Sequence, residues 1–342
     1  MRDPNVLVQI ALSSLTRADL AILSELKQKH PELSRAALKI LFREKRVRVV
    51  KESSKEFGDT GRALSASDDL FPGTHLIKII NWNPEADLSP EPSHGTDTEQ
   101  LPVLFENEDL LILHKSSGTP SIPLKPHETK TAVSSAIRYL EITQQDASLQ
   151  RFLEIGKASG HPLDAGLLHR LDTGTSGVLA FAKNKMEFDR IRAIWKTSQI
   201  RKFYRAITIA GKLDQLPFQI TTPIGHDPKS AKRMQTIQNP RDLKNIRGKS
   251  LAAITHILSA RQLAQNSIPL LDLRIEIETG VMHQIRVHLA SIGLPILGDP
   301  LYGPNAIAVP RLLLHHERLE LPLRSGTTLS IQAGLPSDWP SR

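Results

Sequence analysis

The sequence predicts an α+β protein with a mixed, largely antiparallel sheet and a small α+β module at its N-terminus. Short strand patterns outnumber helix patterns, and the two do not alternate in the regular βαβ order that builds parallel sheets. A proline-rich stretch without apolar periodicity separates the first 80 residues from the rest. We therefore expect a module over 1–80, a linker over 81–100 and a larger domain over 101–342.

Composition narrows the class of protein. The chain has 342 residues and no cysteine, which excludes disulfides, thiolate metal sites and a cysteine nucleophile. Its apolar runs fall short of the ~20 residues needed to cross a bilayer, and its first residues do not have the pattern of a signal peptide. We therefore expect a cytoplasmic protein with no membrane partner. The sequence carries no signal for the oligomeric state, and a monomer is the default expectation.

The N-terminal module begins with a predicted helix. Thr16, followed three residues later by Asp19, resembles a capping box, and Leu15 and Leu20 occupy the positions of a hydrophobic staple. These signals predict a helix over about 17–29. Further signals in the module are a helix start at Ser34 and strand patterns at 46–49 and 76–80.

Positive charge is concentrated in this module. The chain carries 44 Lys and Arg against 36 Asp and Glu, a net charge of +8. Residues 27–55 alone contain ten bases and three acids, which favours a polyanionic partner, nucleic acid above all. A basic solvated surface is the alternative. The bases expected to dock RNA are Arg35, Lys39, Arg43, Lys45, Arg46 and Arg48.

The larger domain shows a series of strands with few helices. A helix is predicted by the spacing of Phe188, Ile191 and Trp195, and another by an apolar stripe from Met282 to Ile292 that Gly293 closes. In the strand at 271–277, the odd-numbered apolar residues are expected to face one way and Asp272, Arg274 and Glu276 the other. The other predicted strands are the hairpin 103–105 and 110–113, then 178–182 and 203–209.

The stretch 166–177 is the first that can carry chemistry. Asp172 lies between the basic pair His169 and Arg170 and a turn rich in Gly, Thr and Ser, just before an apolar strand. Polar groups placed before such a strand often face a cleft, where a carboxylate can act in catalysis. The alternative is that Asp172 accepts hydrogen bonds from the turn's own amides.

Two further stretches contain candidate side chains. Arg286 lies near a predicted strand–helix junction and is a candidate ion-pair partner, whereas His283 and His288 are five apart and do not share a helix face. Adding His315 and His316 makes no set with metal-ligand spacing, so we expect no metal site. The strand at 201–206 presents Tyr204 on the face opposite Phe203, and a half-buried sheet tyrosine is the alternative there.

Taken together and in this order, these stretches resemble the RluA-type family of RNA pseudouridine synthases. The N-terminal module is more loosely similar to the small RNA-binding module named after ribosomal protein S four. The resembling stretches are His-Arg-Leu-Asp (169–172), Thr-Ser-Gly (175–177), Lys202-x-Tyr204-x-Ala206, Thr-Gly-x-x-His-Gln-Ile-Arg-Val-His (279–288), 293–303 and the opening segment from Phe105 to Gly118.

The resemblance implies a catalytic domain of the pseudouridine synthase type, which isomerises specific uridines in structured RNA without cofactor or metal. Large-subunit ribosomal RNA is the expected substrate, and transfer RNA is the alternative substrate. Asp172 is then the catalytic carboxylate, Arg286 its ion-pair partner, and Tyr204 stacks on the target base and can assist proton transfer. The expected substrate-binding residues are His169, Arg170, Lys202, His283, Gln284, His288 and Leu314.

Two positions depart from the family pattern. Ser116 follows Lys115 where the family commonly has proline, and Val281 follows Thr279-Gly280 where it has arginine. The loss of a cation at Val281 is the feature that favours a non-catalytic RNA-binding or ribosome-assembly factor as the alternative function. A glycoside or nucleoside hydrolase would need a second carboxylate about 5–9.5 Å from Asp172, and no other acid lies within its motif.

Overall fold

The computed structural model describes residues 6–30, 33, 38, 41–50, 61–81, 100–123, 128–211, 215–230, 232–263, 269–304 and 309–340. The chain divides into two compact units, the first made of 1–94, 123–129 and 150–165 and the second of the remaining residues. Of the predicted linker, only Asn81 and Gln100 are described. The predicted linker and domain boundaries therefore stay predictions.

The first unit contains an antiparallel sheet in the order β1-β6-β3-β4 and a short β2–β5 pair. Its core includes Val8 and Ile10 from β1, Ile22 and Leu26 from the helix, and Val47 from β3. The elements are β1 (Val6–Leu12), β2 (Thr16–Arg17), α1 (Ala18–Lys29), β3 (Val47–Val50), β4 (Arg62–Ala63), β5 (Asp69–Leu70) and β6 (Gly73–Ile79).

Helix α1 spans the predicted residues, but its predicted start signals are wrong. Arg17 is the N-cap residue and its side chain caps no amide, while the Thr16 hydroxyl donates to the carbonyl of Ser14. Leu15 and Leu20 are 55% and 45% exposed, so they form no staple within the core. The reason is tertiary: Thr16 is paired with Leu70 of β5, so the chain enters the helix directly from a strand.

In the second unit the described residues form a nine-stranded mixed sheet, as the fold class predicted from the sequence requires. Its order is β11-β15-β16-β10-β17-β9-β8-β7, with β18 also on β17. All neighbours are antiparallel except β9 and β17, which run parallel. A separate three-stranded sheet has the order β13-β12-β14.

The helices and strands from residue 103 onward confirm the hairpin, the strands and the helix expected around Ile191. The strands are β7 (Val103–Glu106), β8 (Leu110–Lys115), β9 (Ser176–Ala182), β10 (Arg201–Ile209), β11 (Phe218–Ile220), β12 (Ile224–His226), β13 (Met234–Thr236), β14 (Arg247–Leu251), β15 (Thr255–Leu263), β16 (Leu270–Ile277), β17 (Leu314–Pro322) and β18 (Thr328–Gln332). The helices are α2 (Ala132–Ile142), α3 (Asp146–Ala158), α4 (Lys185–Ile194) and α5 (Gln284–Ser291), with 3₁₀ turns at Pro162–Asp164 and Pro240–Asn245.

Strand β16 carries a buried acid. Asp272, on the polar side of the predicted alternation, is buried. Its carboxylate accepts hydrogen bonds from Arg205 Nε at 2.7 Å and from Arg261 Nη2 at 3.1 Å. Arg205 also pairs with Glu317 at 3.3 Å. A buried charge is tolerated here because cations on both neighbouring strands, β10 and β15, neutralise it.

Strand β17 carries two neutral histidines in the core. His315 and His316 are fully buried. Ser176 Oγ lies 2.9 Å from His315 Nδ1, and His316 Nδ1 donates to the carbonyl of Val178 at 2.6 Å. Burial lowers the pKa of His315 to about 4 and that of His316 to about 3. Both rings are therefore uncharged at neutral pH.

The parallel contact between β9 and β17 depends on a glycine. Gly177 has φ of 117°, and a Cβ at this position would lie 2.2 Å from the main-chain oxygen of His316. Only glycine combines this backbone conformation with so close an approach of the two strands. The Thr-Ser-Gly motif thus has a packing reason for its glycine.

We expect Gly177→Ala to destabilise the protein by about 3 kcal/mol or more, because conformational strain adds to the clash with a backbone atom. Gly326→Ala is the matched control: its φ is 85°, and no described atom lies within 4 Å of the added Cβ. The control should cost only the ~1–2 kcal/mol of the left-handed conformation. Urea unfolding measures both, and equal losses would contradict the close-packing argument.

Acidification should destabilise the fold through the histidines of β17. Unfolded histidine binds a proton below about pH 6.5, whereas His316 stays neutral until about pH 3. The unfolded state therefore binds more protons between these values, and stability falls as pH falls. From pH 7 to pH 5 the loss is about 2 kcal/mol for each such histidine.

His316→Phe isolates one of these contributions, since phenylalanine does not titrate. Its unfolding free energy should fall by about 2 kcal/mol less than that of wild type between pH 7 and pH 5. The same pH dependence in both proteins would show that His316 is not the neutral buried group described here.

Candidate active site

The loop before β9 presents the carboxylate of Asp172. Thr175 N–H donates to the main-chain carbonyl of Asp172 at 2.9 Å, so the turn is closed by backbone and not by the carboxylate. The side chain is 28% exposed, and its Oδ2 accepts a hydrogen bond from Arg286 Nη1 at 2.7 Å. This geometry matches the ion pair expected from the sequence and not the capping alternative.

Arg286 is held by a second carboxylate. Its Nε and Nη2 each donate to Asp299 at 2.7 Å, a bidentate pair in which both side chains are buried. Asp299 Oδ1 also accepts the backbone N–H groups of Leu301 and Tyr302. The guanidinium therefore bridges a fully buried carboxylate and the partly exposed Asp172.

Burial alone would lower the pKa of Arg286, but its hydrogen bonds to Asp299 and the charges of Asp172 and Asp299 outweigh burial and raise the pKa. For Asp299, burial raises the pKa and the Arg286 contacts more than reverse this, so the net pKa lies below its usual range. The pair is therefore fully charged at neutral pH. Sequence reasoning gave Asp299 no role, although it lies in the stretch 293–303 that follows α5.

His283 and Tyr302 complete the surroundings of Asp172. His283 has φ of 57° and is the N-cap residue of α5, in the left-handed conformation, so this helix begins at Gln284 and the predicted stripe residue Met282 is exposed. His283 Nε2 lies 3.8 Å from Asp172 Oδ2, and its Nδ1 lies 3.0 Å from the Tyr302 hydroxyl. Burial lowers the pKa of His283, with the Asp172 charge opposing and the Arg286 charge reinforcing the shift.

Tyr204 lies on β10, stacked on a histidine of β17. The ring centroids of Tyr204 and His316 are 4.5 Å apart, and their planes differ by 16°. The side chain is largely buried. Burial raises the pKa of Tyr204, and the charge of Asp172 raises it further. The phenol therefore keeps its proton at neutral pH.

His169 and Lys202 both have contacts within the protein. The His169 ring stacks on Trp195 with centroids 4.7 Å apart, and its Nε2 accepts the backbone N–H of Ala180. Burial, followed by the charges of nearby bases, holds the pKa of His169 well below its usual value. Lys202 is buried and donates to the carbonyls of Trp195 and Glu278, and burial lowers its pKa to about 8.

Three other expected substrate-binding residues have protein partners. Gln284 Oε1 accepts from the Thr279 hydroxyl and Val281 N–H, and its Nε2 donates to the carbonyl of Ile254. The two ring nitrogens of His288 lie 2.9 Å from Thr255 Oγ1 and 2.8 Å from the carbonyl of Thr222. Leu314 is buried at the start of β17, whereas Arg170 is exposed.

Lys115 is a residue to which sequence reasoning gave no role. Its side chain is fully buried and its Nζ donates to the carbonyls of Ser116, Thr119 and Thr173 at 3.0, 2.7 and 3.2 Å. Burial lowers its pKa to about 7, and the charge of Asp172 opposes this shift. Because Thr173 follows Asp172, Lys115 ties the loop of the candidate carboxylate to strand β8.

The bases of the first unit fall into two kinds. Arg43 and Lys45 are exposed. Arg46 Nε donates to the carbonyl of Ile80 at 2.9 Å, and its Nη2 to that of Asn81, while Arg48 Nη1 donates to the carbonyl of Gly61 at 3.1 Å. Arg46 and Arg48 thus have structural contacts of their own. Arg35 and Lys39 lie outside the described residues.

The described part of the chain has no helix with both the length and the apolar character to cross a bilayer. Within the same residues, no three side chains of His, Asp or Glu converge as ligands of a metal ion.

Comparison with known proteins identifies the family. A family model described as RNA pseudouridylate synthase matches residues 109–291, a range that contains both motifs on which the RluA-type resemblance rests. Ribosomal large subunit pseudouridine synthase D of Nitrosomonas europaea is 29% identical over 277 residues, covering 78% of this chain and 70% of that protein. The protein of the same name from Zymomonas mobilis is 27% identical, covering 73% and 74%.

A solved structure extends the likeness to the fold. Human RNA pseudouridylate synthase domain containing 1 superposes with a TM-score of 0.51 at 20% identity, covering 71% of this chain and 86% of that one. At this identity the match supports the mixed α+β architecture alone. The match of the family model over more than half of the sequence decides the assignment: the chain belongs to the RNA pseudouridylate synthase family and is an isomerase that acts on RNA.

Proposed function

We propose that this enzyme converts uridine to pseudouridine in large-subunit ribosomal RNA, with Asp172 as the catalytic carboxylate. In this isomerisation the bond from the ribose to uracil N1 breaks and a bond from the ribose to uracil C5 forms. The proton on C5 leaves and N1 gains one, so atoms and electrons balance within the substrate and water. No oxidant, reductant or hydrolytic water is consumed.

The observation that carries the proposal is the Asp172–Arg286–Asp299 arrangement. One guanidinium donates to both carboxylates at 2.7 Å. Asp299 is fully buried while Asp172 is partly exposed. The fixed guanidinium orients Asp172 and offsets part of its charge, while leaving it within reach of a nucleotide. A preorganised charged group of this kind is what catalysis requires.

Tyr204 is proposed to stack on the target uracil. Its raised pKa keeps the phenol protonated, which disfavours it as the acceptor of the C5 proton, a role left open by the sequence. His316 occupies one face of its ring, so a base would stack on the other. Removing the uridine from its helical stack costs a few kcal/mol, and an aromatic platform offsets part of that cost.

Large-subunit ribosomal RNA is proposed as the substrate from the printed names of two relatives. The N-terminal unit is proposed as an RNA-docking module of the S-four-like kind. Arg43 and Lys45 are its exposed candidate contacts. Action as a cytoplasmic monomer is part of the same proposal, and transfer RNA is the competing substrate that the experiment distinguishes.

Tritium release from uridine C5 tests the activity directly. The wild type should release tritium from an unmodified large-subunit ribosomal RNA transcript, and Asp172→Ala should reduce the rate by about 1,000-fold or more. Asp172→Asn keeps the shape and should lose as much. Asp189→Ala, which removes an exposed carboxylate paired with Lys185, is the control and should retain activity.

The outcomes separate the alternatives. Release from transfer RNA but not from ribosomal RNA would overturn the proposed substrate. Tight binding of the transcript with no release by wild type would favour the non-catalytic ribosome-assembly factor. Free uracil as a product would indicate a hydrolase.

The N-terminal unit can be tested through salt dependence. Arg43→Glu with Lys45→Asp should weaken RNA binding by tenfold or more and reduce the slope of log Kd against log salt by about 2. Aspartate suits the position of Lys45, whose φ is 59°. Arg46 is left unchanged because its loss would break contacts within the unit.

The matched control reverses two exposed charges of the second unit, Lys196→Glu with Arg241→Glu. If both double variants bind RNA equally well at every salt concentration, the N-terminal unit has no specific part in docking.

A further inference from the structure

A cation next to the small three-stranded sheet lies beside the candidate active site. Arg233 directly precedes β13, its side chain is exposed, and its Cζ lies 5.2 Å from the ring centroid of Tyr302. The Cζ of Arg286 lies 5.3 Å from the same centroid. Contacts of this length between a guanidinium and an aromatic ring are attractive. The ring of Tyr302 alone therefore separates Arg233 from Arg286, the ion-pair partner of Asp172.

Hydrogen bonds also hold the backbone next to Arg233 in position. The residue after Arg233, Met234, donates its backbone N–H to the Tyr302 hydroxyl at 2.7 Å. The same hydroxyl lies 3.0 Å from His283 Nδ1, and His283 Nε2 lies 3.8 Å from Asp172 Oδ2. A continuous set of contacts thus leads from the backbone beside Arg233 to the candidate carboxylate.

The charge of Arg233 is not neutralised by the described residues, since no carboxylate among them forms an ion pair with it. The two acids of the surrounding segment are occupied by backbone groups. Asp227 accepts from Lys229 N–H, and Asp242 from Gln238 and Asn239 N–H. The other exposed bases of the segment are Lys229, Lys232, Arg241, Lys244, Arg247 and Lys249.

Val281 supplies the second observation. It stands where the family pattern has arginine, and here it packs, with Tyr302, against the apolar cluster that contains Met234. The chain therefore has an apolar side chain at the position of the family arginine, and the exposed Arg233 directly precedes Met234, a member of the cluster on which that side chain packs.

We propose that Arg233 binds a backbone phosphate next to the target uridine and so supplies the cation that is missing at Val281. This inference rests on the proposed function, in which the ligand is RNA. A guanidinium is suited to bidentate contact with phosphate oxygens. Its role is to position the nucleotide over Asp172, and the chemistry of the isomerisation remains with Asp172.

The test compares Arg233→Met with Arg241→Met on an unmodified transcript of large-subunit ribosomal RNA. Both variants remove one exposed arginine from the same basic segment, but only Arg233 lies on Tyr302. Arg233→Met should raise Kd and KM by about tenfold, change kcat by less than about threefold, and reduce the salt slope of binding by about 1. Arg233→Lys should recover part of the affinity, and Arg241→Met should change Kd by less than about twofold.

A second-site change provides rescue. Adding Val281→Arg to Arg233→Met should restore affinity and the salt slope, with thermal unfolding of each variant checking the apolar cluster. Equal Kd values and salt slopes for Arg233→Met and Arg241→Met would overturn the proposal. If wild type binds the transcript but releases no tritium, the proposed activity on this RNA fails, while the binding comparison still decides the role of Arg233.

Discussion

The guanidinium of Arg286 is the group on which the geometry of the candidate site depends. It is buried, and it donates to Asp299 on one side and Asp172 on the other. Removing one partner of such a buried pair typically costs about 3–5 kcal/mol, because an uncompensated charge is left inside the protein. The fold must therefore deliver both carboxylates to Arg286 together, and the position of Asp172 follows from that requirement.

The sheet meets this requirement through a few close contacts. Gly177 lets β9 run against β17, which sets the start of β9 and the loop before it. Lys115 holds that loop from β8 through the carbonyl of Thr173. The left-handed conformation of His283 directs the first residues of α5 toward the loop of Asp172. The charged groups are thus positioned by the ends of strands and helices, which backbone contacts hold in place.

Several residues expected to bind substrate also have contacts that support this arrangement. Gln284 ties the turn before α5 to the loop after β14, through Thr279, Val281 and Ile254. His288 joins α5 to Thr255 and Thr222. A recognisable motif therefore mixes groups that face the cleft with groups that hold the backbone in place, and sequence spacing alone does not separate the two kinds.

The sequence by itself determined the fold class, most strands of the large domain, and the Asp172–Arg286 pair that the family motifs indicate. These follow from local periodicity and from motif residues whose types carry chemistry. Tertiary structure decided the rest. Asp172 and Arg286 are 114 residues apart, and Asp299, Tyr302 and Arg233 join them only because sheet order and buried charge bring separate loops together. The same reason accounts for the wrong start signals of α1, where a strand pairing between Thr16 and Leu70 outweighs a local capping pattern.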